Sequence, residues 1–447
     1  MCQDNVLSAN SISNKQWQKL GDRIRLNPKS VSDNDLRMLQ VLRLDYKEPL
    51  AKVFSSLESI AQRVDKDCIC TCRVKRIESL ISKILRLPEM AINRAEDIAG
   101  CRCIVHNEKQ VYQIHEKLCK NNLIEIRSGG HDYIANPKPG GYRSLHVIIS
   151  LKDDRRRIEI QIRTVEQHNW STLVEITDLL YGSQIKEYNG TKAPDLYKFH
   201  QLLSKRDTDL SYEDKHQIAD TAIKYNYLER VGTIFQNNYV EVRQKWNKSK
   251  LQKHHFFLIS ADSSGNTDFA GFSNYEDAEA AYFSKYLTNN DKRNIVLAHL
   301  DRATFSKISM AYSNYILAYN AIIIRILTLL SEATIDAFNR LRVKQFKAYY
   351  EYFLDTIRQW MWNQKEDIVR LSKDPQAQKS KRLNAEWANT IDDNVNALLK
   401  LMRDVQFNMK FKLWNIGLCV VKNHIYNEYL KSFMSANYKS PRQRLLS

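Results

Sequence analysis

The spacing of apolar residues changes several times along the chain and predicts a different element at each change. Residues 33–62 place apolar side chains three and four positions apart, and Asp33 or Asn34 is able to cap the start, so a helix is predicted there. Further along, strand-like alternation and helical spacing take turns, which indicates an α+β or α/β domain. The pattern predicts strands at 68–72, 97–106, 142–150 and 157–164, and helices at 74–87 and 108–121.

The chain beyond residue 205 is predicted to form two further regions. A charged, helical stretch leads into a small α+β segment at 255–302, and long aromatic-rich helices follow, for example at 349–362. Such apolar helices must bury a face, either in a self-contained bundle or by packing on the first region or on a second copy and setting its activity. The predicted regions are 20–205, 206–302 and 303–447.

The charge balance narrows the class of partner. An excess of 68 Lys+Arg over 51 Asp+Glu gives a net charge of +17. A basic balance favours nucleotides, RNA or ribosomes, although a solvated basic surface explains it as well, so contact with RNA stays open. The eight cysteines show no secreted-scaffold pattern and the first ten residues have no apolar signal core, so we expect a reduced, cytoplasmic protein.

Two apolar features have plain structural interpretations. The stretch 315–330 is shorter than the ~20 residues of a membrane span, and Asn320 and Arg325 interrupt it, so we expect a buried helix and no membrane partner. Cys68, Cys70 and Cys72 alternate along a strand without the CxxC spacing of a zinc site. We expect these three thiols to be core residues.

Two predicted strands carry polar residues on one face. Period-two alternation puts Glu159, Gln161 and Arg163 together in "IEIQIRT". The same rule groups Tyr142, Ser144 and His146 in "GYRSLH". If the strands pair, their shared face is polar enough to suit a ligand, whereas either strand alone is compatible with ordinary half-exposure.

The helix predicted at 74–87 carries a cationic stripe. Lys75, Ser79 and Lys83 are four residues apart, Arg73 lies just ahead, and the apolar residues occupy the opposite side. Ammonium and hydroxyl groups near a helix N-terminus suit a polyphosphate, although a solvated lysine face has the same pattern. The GxxxxGK motif of P-loop proteins is absent from the sequence.

Two acidic residues are candidates for a metal site. Asp97 lies at the very start of a predicted strand that contains Arg102, and Glu159 lies on the polar face of another strand. Two such carboxylates are able to share a Mg²⁺ ion for phosphoryl transfer. Asp97 is equally suited to cap a helix.

The segment "DYIANPKPGGYRSLH" (132–146) is predicted to be a shaped loop that runs into a strand. Its glycine pair allows the backbone to approach a ligand closely, and Pro137 and Pro139 stiffen it. Tyr142 supplies a flat face on which a base is able to stack. We interpret the segment as a nucleotide-binding loop.

Four motifs occur in one order: "RVKRIESLISK", "EDIAGCR", "DYIANPKPGGYRSLH" and "EIQIRT". In this order they resemble the synthetase domain of the RelA/SpoT family, the alarmone (p)ppGpp synthetases, over about residues 40–185. The resemblance implies an α+β fold, with a mixed sheet flanked by helices and related to nucleotidyltransferases. It also implies an ATP-dependent pyrophosphokinase that moves the pyrophosphate of ATP to the 3′-hydroxyl of GDP or GTP.

The resemblance also assigns roles to individual residues. Asp97 and Glu159 would be catalytic and bind Mg²⁺, with Glu159 also drawing the proton from the attacking hydroxyl. The residues implied for ATP are Arg73, Lys75, Ser79, Lys83 and Arg102. Those implied for the acceptor nucleotide are Lys138, Tyr142, His146, Gln161 and Arg163.

Departures from the family pattern keep other functions open. Gly140 stands where the family commonly has asparagine, and the helix after "EIQIRT" retains Trp170 and Glu175 without the usual Glu-His pair. No His-Asp hydrolase pattern precedes the domain, so synthesis without hydrolysis is expected. One alternative is a toxic relative that pyrophosphorylates tRNA 3′ ends or makes an adenosine alarmone, with the C-terminal half as a neutralising or sensing module. Another is a non-enzymatic RNA- or partner-binding protein, and self-association also stays open.

Overall fold

The chain forms two compact units in a computed structural model. The first unit comprises Met1–Lys138, Tyr142–His168 and Glu241–Ile316. The second comprises Pro139–Gly141, Asn169–Val240 and Leu317–Ser447. The residues described are 12–183, 185, 190–232, 245–246, 251–261, 267–288, 295–301, 303–312, 321–373, 393, 396–398, 400–405 and 408.

The first unit is built on one mixed sheet of nine described strands in the order β3-β5-β6-β2-β1-β9-β7-β8, with β4 beside β5. The β2–β6 pair is parallel and the other pairs are antiparallel. This confirms the predicted α+β class with a mixed sheet. The strands are β1 (Ile69–Val74), β2 (Ala99–Val105), β3 (Ile124–Ile126), β4 (His131–Asp132), β5 (Leu145–Leu151), β6 (Ile158–Thr164), β7 (Phe256–Ala261), β8 (Thr267–Phe272) and β9 (Ile295–His299).

Helices surround this sheet and dominate the described part of the second unit. They are α1 (Asn14–Leu26), α2 (Asp33–Leu44), α3 (Lys47–Val64), α4 (Ile77–Arg86), α5 (Glu108–Cys119), α6 (Val165–Tyr181), α7 (Pro194–Leu203), α8 (Tyr212–Lys224), α9 (Tyr275–Thr288), α10 (Phe305–Ala311), α11 (Ala321–Asn339) and α12 (Val343–Lys373). Short 3₁₀ turns occur at Ile92–Arg94, Asp207–Asp209 and Leu251–Lys253.

The helix predicted at 33–62 is two helices. Ser32 caps α2 by accepting a hydrogen bond from the Asp35 amide at 3.2 Å, so the cap lies one residue before the predicted Asp33. The chain breaks at Asp45 and Tyr46 before α3 begins. Pro49 explains the break, because proline has no N–H for the carbonyl four residues earlier and is tolerated only in the first turn of a helix.

The helix predicted from residue 74 begins later, at Ile77. Strand β1 continues to Val74, and the Lys75 amide still donates to the Ile98 carbonyl at 2.7 Å, next to the start of β2. Lys75 therefore lies at a strand end. The three cysteines of this region, Cys68, Cys70 and Cys72, are buried as predicted.

The strands of the predicted small α+β segment join the same sheet as β1. Strand β9 pairs with β1 at Cys72 and His299, and β7 pairs with β9. Buried residues of the N-terminal helices and strands, such as Trp17, share one hydrophobic cluster with buried residues of the 255–301 segment, such as Leu258 and Leu297. The structure thus groups 241–316 with the N-terminal region, a division that differs from the predicted boundaries at 205 and 302. Periodicity identifies strands, but it does not show which sheet edge a distant strand joins.

A buried ion pair holds this segment to the N-terminal helices. Arg43 of α2 lies 2.8 Å from a carboxylate oxygen of Glu279 on α9, and the two side chains are 1% and 2% exposed. Gln40 donates to the same carboxylate at 2.9 Å. The guanidinium also lies 4.0 Å from the centre of the Tyr282 ring and donates to the Lys75 carbonyl at 3.0 Å. Four partners thus satisfy the guanidinium.

The described part of the second unit is helical, in line with the C-terminal pattern. His216 of α8 hydrogen-bonds to Asp336 of α11 at 2.9 Å and to the Tyr349 hydroxyl of α12 at 3.2 Å. Of the apolar stretch 315–330, residues 315–320 fall outside the described ranges, and the remainder belongs to α11. Among the helices that are described, none combines the length and the apolar composition needed to cross a membrane.

Breaking the buried pair is predicted to destabilise the first unit strongly. Glu279→Gln removes the carboxylate charge and leaves the Arg43 guanidinium buried without it, which costs about 3–5 kcal/mol of unfolding free energy. Urea denaturation measures the loss. Glu276→Gln is the matched control, since Glu276 lies on the same helix, is 63% exposed and pairs with the surface Lys47. Equal small losses in both variants would show that the buried pair is not needed.

Candidate active site

A pocket of about 240 Å³ opens on the first unit beside the ends of β1, β2 and β6. It brings together side chains that are far apart in the sequence, and guanidinium, ammonium, hydroxyl and carboxylate groups all line it. The lining residues are Thr71, Cys72, Arg73, Lys75, Arg76, Ser79, Asp97, Gly100, Cys101, Arg102, Glu159, Gln161 and Tyr312.

Asp97 is clamped between the two lysines of the predicted stripe. The Lys75 ammonium lies 2.6 Å from Oδ2 and the Lys83 ammonium 2.5 Å from Oδ1. Burial acts to raise the pKa of Asp97, but the two ammonium groups outweigh it and hold that pKa below its usual value. Burial lowers the pKa of Lys75, and Asp97 opposes that shift in part. The predicted cationic stripe and the predicted carboxylate are thus one electrostatic unit.

Glu159 is held from both sides on the sheet face. His146 Nδ1 lies 2.8 Å from Oε1, and the Gln161 amide donates to Oε2 at 2.8 Å. Burial acts to raise the pKa of Glu159, but the hydrogen bonds from His146 and Gln161 and the His146 charge outweigh it, so that pKa lies below its usual value. The carboxylate is therefore ionised at neutral pH and fixed in one orientation.

Strand register creates this arrangement. His146 of β5 pairs with Gln161 of β6, and Glu159 pairs with Gly100 on the other side. A side chain at Gly100 would place its Cβ 3.0 Å from the Glu159 carbonyl oxygen. Glycine at this position therefore allows β2 and β6 to come together beside the carboxylate.

An aromatic cluster lies next to Glu159 on the side of the 132–146 loop. The Tyr142 hydroxyl hydrogen-bonds to His146 Nε2 at 2.8 Å, and the Tyr133 ring lies edge-on to both the tyrosine and the histidine at 5.9 and 5.1 Å. The Lys138 ammonium lies 4.5 Å from the Tyr133 ring centre and 5.4 Å from that of Tyr142. Gly141 has φ +97°, a conformation that other residues rarely adopt, which explains one glycine of the pair.

Arg163 and Ser144 lie behind the ligand-facing surface. Arg163 is 2% exposed and contacts His168 Nδ1 at 2.7 Å, and Ser144 is fully buried with its hydroxyl donating to the Ile162 carbonyl. Ser144 lies beside Tyr142 as the grouping predicts, since the two side chains hydrogen-bond, although strand β5 begins only at Leu145.

Helix α10 and the residue after it reach the pocket. Arg102 donates to the Ala311 carbonyl at 3.1 Å, and His168 Nε2 lies 2.6 Å from the Met310 carbonyl. Tyr312 is 2% exposed and lines the pocket. One N–H group of the Arg102 guanidinium is thus occupied by a backbone carbonyl, whereas its Nε has no hydrogen-bond partner among the described residues.

The structure brings most of the predicted site residues together, and their roles remain predictions. Seven line the pocket, and Lys83 and His146 contact its two carboxylates. Tyr142 and Lys138 extend the site along the loop, whereas Arg163 reaches it only from behind. Sequence reasoning missed Thr71, Arg76, Tyr133 and Tyr312. Tyr133 was visible as a second aromatic residue in the loop, but nothing in the local pattern connects Tyr312 to this site.

The carboxylates fit a magnesium ion by their chemistry. Asp97 and Glu159 line the same pocket, and both are held ionised by their surroundings. Oxygen ligands of this kind suit Mg²⁺, which is usually held by one or two carboxylates together with substrate phosphates. The Lys75 and Lys83 ammonium groups at Asp97 would then be available to phosphate oxygens.

The part of the chain that forms this site is similar in sequence to known proteins. The family profile described as "Region found in RelA / SpoT proteins" matches residues 72–186. Residues 72–186 are thus similar to the region that RelA and SpoT proteins share. This segment contains all the predicted site residues.

Relatives match over the same part of the chain. The GTP pyrophosphokinase YwaC of Bacillus subtilis is 35% identical over 23% of this chain and 53% of its own length. The GTP pyrophosphokinase YjbM of the same organism is 30% identical over 26% of this chain and 59% of its own length. The chain thus spans little more than half the length of these two curated relatives. A solved structure of small alarmone synthetase 1 from Bacillus subtilis bound to its product pppGpp is 25% identical, with a TM-score of 0.30, and covers 36% of this chain and 85% of that one.

Proposed function

We propose that this chain is a pyrophosphokinase that transfers the pyrophosphoryl group of ATP to the 3′-hydroxyl of GDP or GTP. The observation that carries the proposal is the pair of ionised carboxylates in one pocket of the RelA/SpoT region. Glu159 is fixed by His146 and Gln161, and Asp97 is paired with two lysines. The names of the curated relatives favour a guanine nucleotide as acceptor over tRNA or ATP.

On the donor side, ATP would bind by taking the place of Asp97 as the partner of Lys75 and Lys83. Lys75 and Lys83 both pair with the single Asp97 carboxylate, and triphosphate oxygens would take over both ammonium groups. Mg²⁺ held by Asp97 and Glu159 would supply positive charge against the phosphates. Arg73, which lines the same pocket, would stack on the adenine.

Glu159 is the base of the reaction. The 3′-oxygen of the acceptor forms a bond to the β-phosphorus of ATP, the bond from that phosphorus to the oxygen bridging it to the α-phosphate breaks, and AMP leaves. The hydroxyl proton passes to Glu159, whose lowered pKa keeps it ionised until then. The His146 and Gln161 hydrogen bonds aim the carboxylate and hold it in place.

The acceptor side offers aromatic faces. Tyr142 and Tyr133 present rings beside His146, and the Lys138 ammonium lies over both rings. A purine that stacks on Tyr142 would displace this ammonium towards the acceptor phosphates. Arg163 is buried behind the loop, where it would support the wall of the acceptor side without touching the acceptor nucleotide.

Replacing the base is predicted to slow transfer without loss of fold. Glu159→Gln keeps the shape and removes the charge, which should lower kcat by ~10²–10⁴. The measurement follows labelled ATP with GDP, GTP, ATP or tRNA offered separately as acceptor. Glu125→Gln is the control, because Glu125 is a half-exposed strand residue that pairs with Arg127.

The possible outcomes test the role of Glu159 in the transfer and the identity of the acceptor separately. Transfer by Glu159→Gln within a few-fold of the unsubstituted protein would show that Glu159 is not the base. Label transferred only to tRNA or to ATP would show that the guanine acceptor is wrong while the pyrophosphokinase chemistry stands. No transfer to any of the four acceptors would favour a binding protein on a synthetase fold.

The two halves of the site are predicted to respond separately. Tyr142→Ala removes a stacking face worth ~1–3 kcal/mol, so the acceptor KM should rise while ATP affinity stays nearly constant. Lys83→Ala should weaken ATP binding and leave the acceptor KM nearly constant. Steady-state kinetics with each substrate varied in turn measure both effects.

A conservative substitution separates the contribution of the Tyr142 ring from that of its hydroxyl. Tyr142→Phe keeps the ring and removes the hydroxyl with its hydrogen bonds, including those to His146 and Ser144. It should therefore retain most of the acceptor affinity that Tyr142→Ala loses. Parallel loss of ATP and acceptor affinity in both alanine variants would show that the half-sites are misassigned.

A further inference from the structure

Three metal-ligating side chains converge at the end of β9, away from the carboxylates of the active site. His255 precedes β7, His299 is the last residue of β9, and Asp301 follows two residues later. Their ligand atoms all lie within 4.8 Å of one another. In the described part of the chain, no other group of three or more His, Cys, Asp or Glu side chains converges in this way.

The spacing of these atoms is close to that of a zinc coordination sphere. One oxygen of Asp301 lies 2.8 Å from His255 Nδ1 and 3.2 Å from His299 Nε2. Tetrahedral zinc holds nitrogen and oxygen ligands at ~2.0–2.2 Å, which places neighbouring ligand atoms about 3.3 Å apart. Small side-chain movements are therefore enough to admit the ion between the three groups.

The central histidine is fixed before any ion binds. The His299 ring lies between two aromatic rings, at 4.7 Å from Phe54 and 4.5 Å from Phe256. Its other nitrogen, Nδ1, lies 3.4 Å from the Cys72 sulfur. A metal-ligating histidine commonly has its second nitrogen held by a neighbouring group, which fixes the ring orientation.

The other two ligands are held by the strands and remain open to solvent. His255 donates its amide to the Phe272 carbonyl and accepts from the Leu300 amide at 3.0 Å, so the backbone fixes it beside Asp301. Its side chain is 53% exposed, and that of Asp301 is 33% exposed. An ion therefore has an entry path, and water is able to complete the fourth position.

We infer that His255, His299 and Asp301 form a zinc site with two imidazoles, one carboxylate and one water. Two nitrogen donors favour zinc over magnesium, which prefers oxygen ligands. Because Cys72 of β1 pairs with His299 of β9, the bound ion lies at the junction where β7 and β9 join the rest of the sheet. It links the two ends of the 255–301 segment beside the strand that carries Arg73.

The test uses the full chain after treatment with a chelator and removal of that chelator. Zn²⁺ is titrated in competition with a chromophoric indicator, with Mg²⁺ in excess to fill oxygen sites, and Co²⁺ is added separately as a spectroscopic probe. His255→Gln and Asp301→Asn remove ligands that are at least a third exposed. His254→Gln is the matched control, since its imidazole is one residue away and contacts Ser273 instead.

The unsubstituted protein should bind one Zn²⁺, melt at a higher temperature with it, and give the visible spectrum of tetrahedral Co²⁺. Each ligand variant should lose at least about tenfold in Zn²⁺ affinity, and His254→Gln should lose none. Equal melting temperatures without metal would show that the variants fold. The absence of Zn²⁺ binding in the unsubstituted protein, or undiminished affinity in both ligand variants, would overturn the site and leave a histidine–aspartate hydrogen-bond cluster.

Discussion

The Arg43–Glu279 ion pair is the constraint on which the first unit depends. Two charges that are 1% and 2% exposed tolerate burial only together, so α2 and α9 have to assemble at the same time. The guanidinium also binds the carbonyl of Lys75, whose ammonium pairs with Asp97 in the pocket. The buried Arg43 guanidinium thus connects the 255–301 segment to the part of the site that contains Lys75 and Asp97. A fragment that ends at residue 205 would lose Glu279 and three strands of the sheet, so its activity would not report on the C-terminal helices alone.

The charged side chains of the site pair with neighbouring groups. Asp97 pairs with both Lys75 and Lys83, His146 and Gln161 hold Glu159, and Arg102 donates to a backbone carbonyl of α10. These pairings avoid unpaired charges in a partly buried pocket. The same pairings mean that ligand binding is an exchange of partners, and only the difference in energy appears as affinity. The Ala311 carbonyl and Tyr312 stand out among these groups, because they belong to residues 241–316, a part of the sequence distant from the other site residues.

Local sequence patterns identified most of this site because its chemistry is local. The i, i+4 spacing of Ser79 and Lys83 on α4 and the alternation of Glu159 and Gln161 on β6 are direct consequences of helix and strand geometry. Lys75 instead reaches Asp97 from the end of strand β1. The same rules failed where a single residue such as Pro49 interrupts a helix. They also gave no sign of Tyr312 or of the pairing between β1 and β9. Both are contacts between residues more than 200 positions apart, which periodicity does not encode.

The central claim is that residues 255–301 and the N-terminal α+β region fold as one cooperative sheet. Native-state hydrogen exchange of the full chain in increasing, sub-denaturing urea tests it most directly, by comparing amides of β1 with those of β9. The account predicts that the opening free energies of Ile69–Val74 and Ile295–His299 converge on one value as urea increases, as a single unfolding event requires. Exchange of β9 through a separate, lower-energy opening that leaves β1 protected would contradict it.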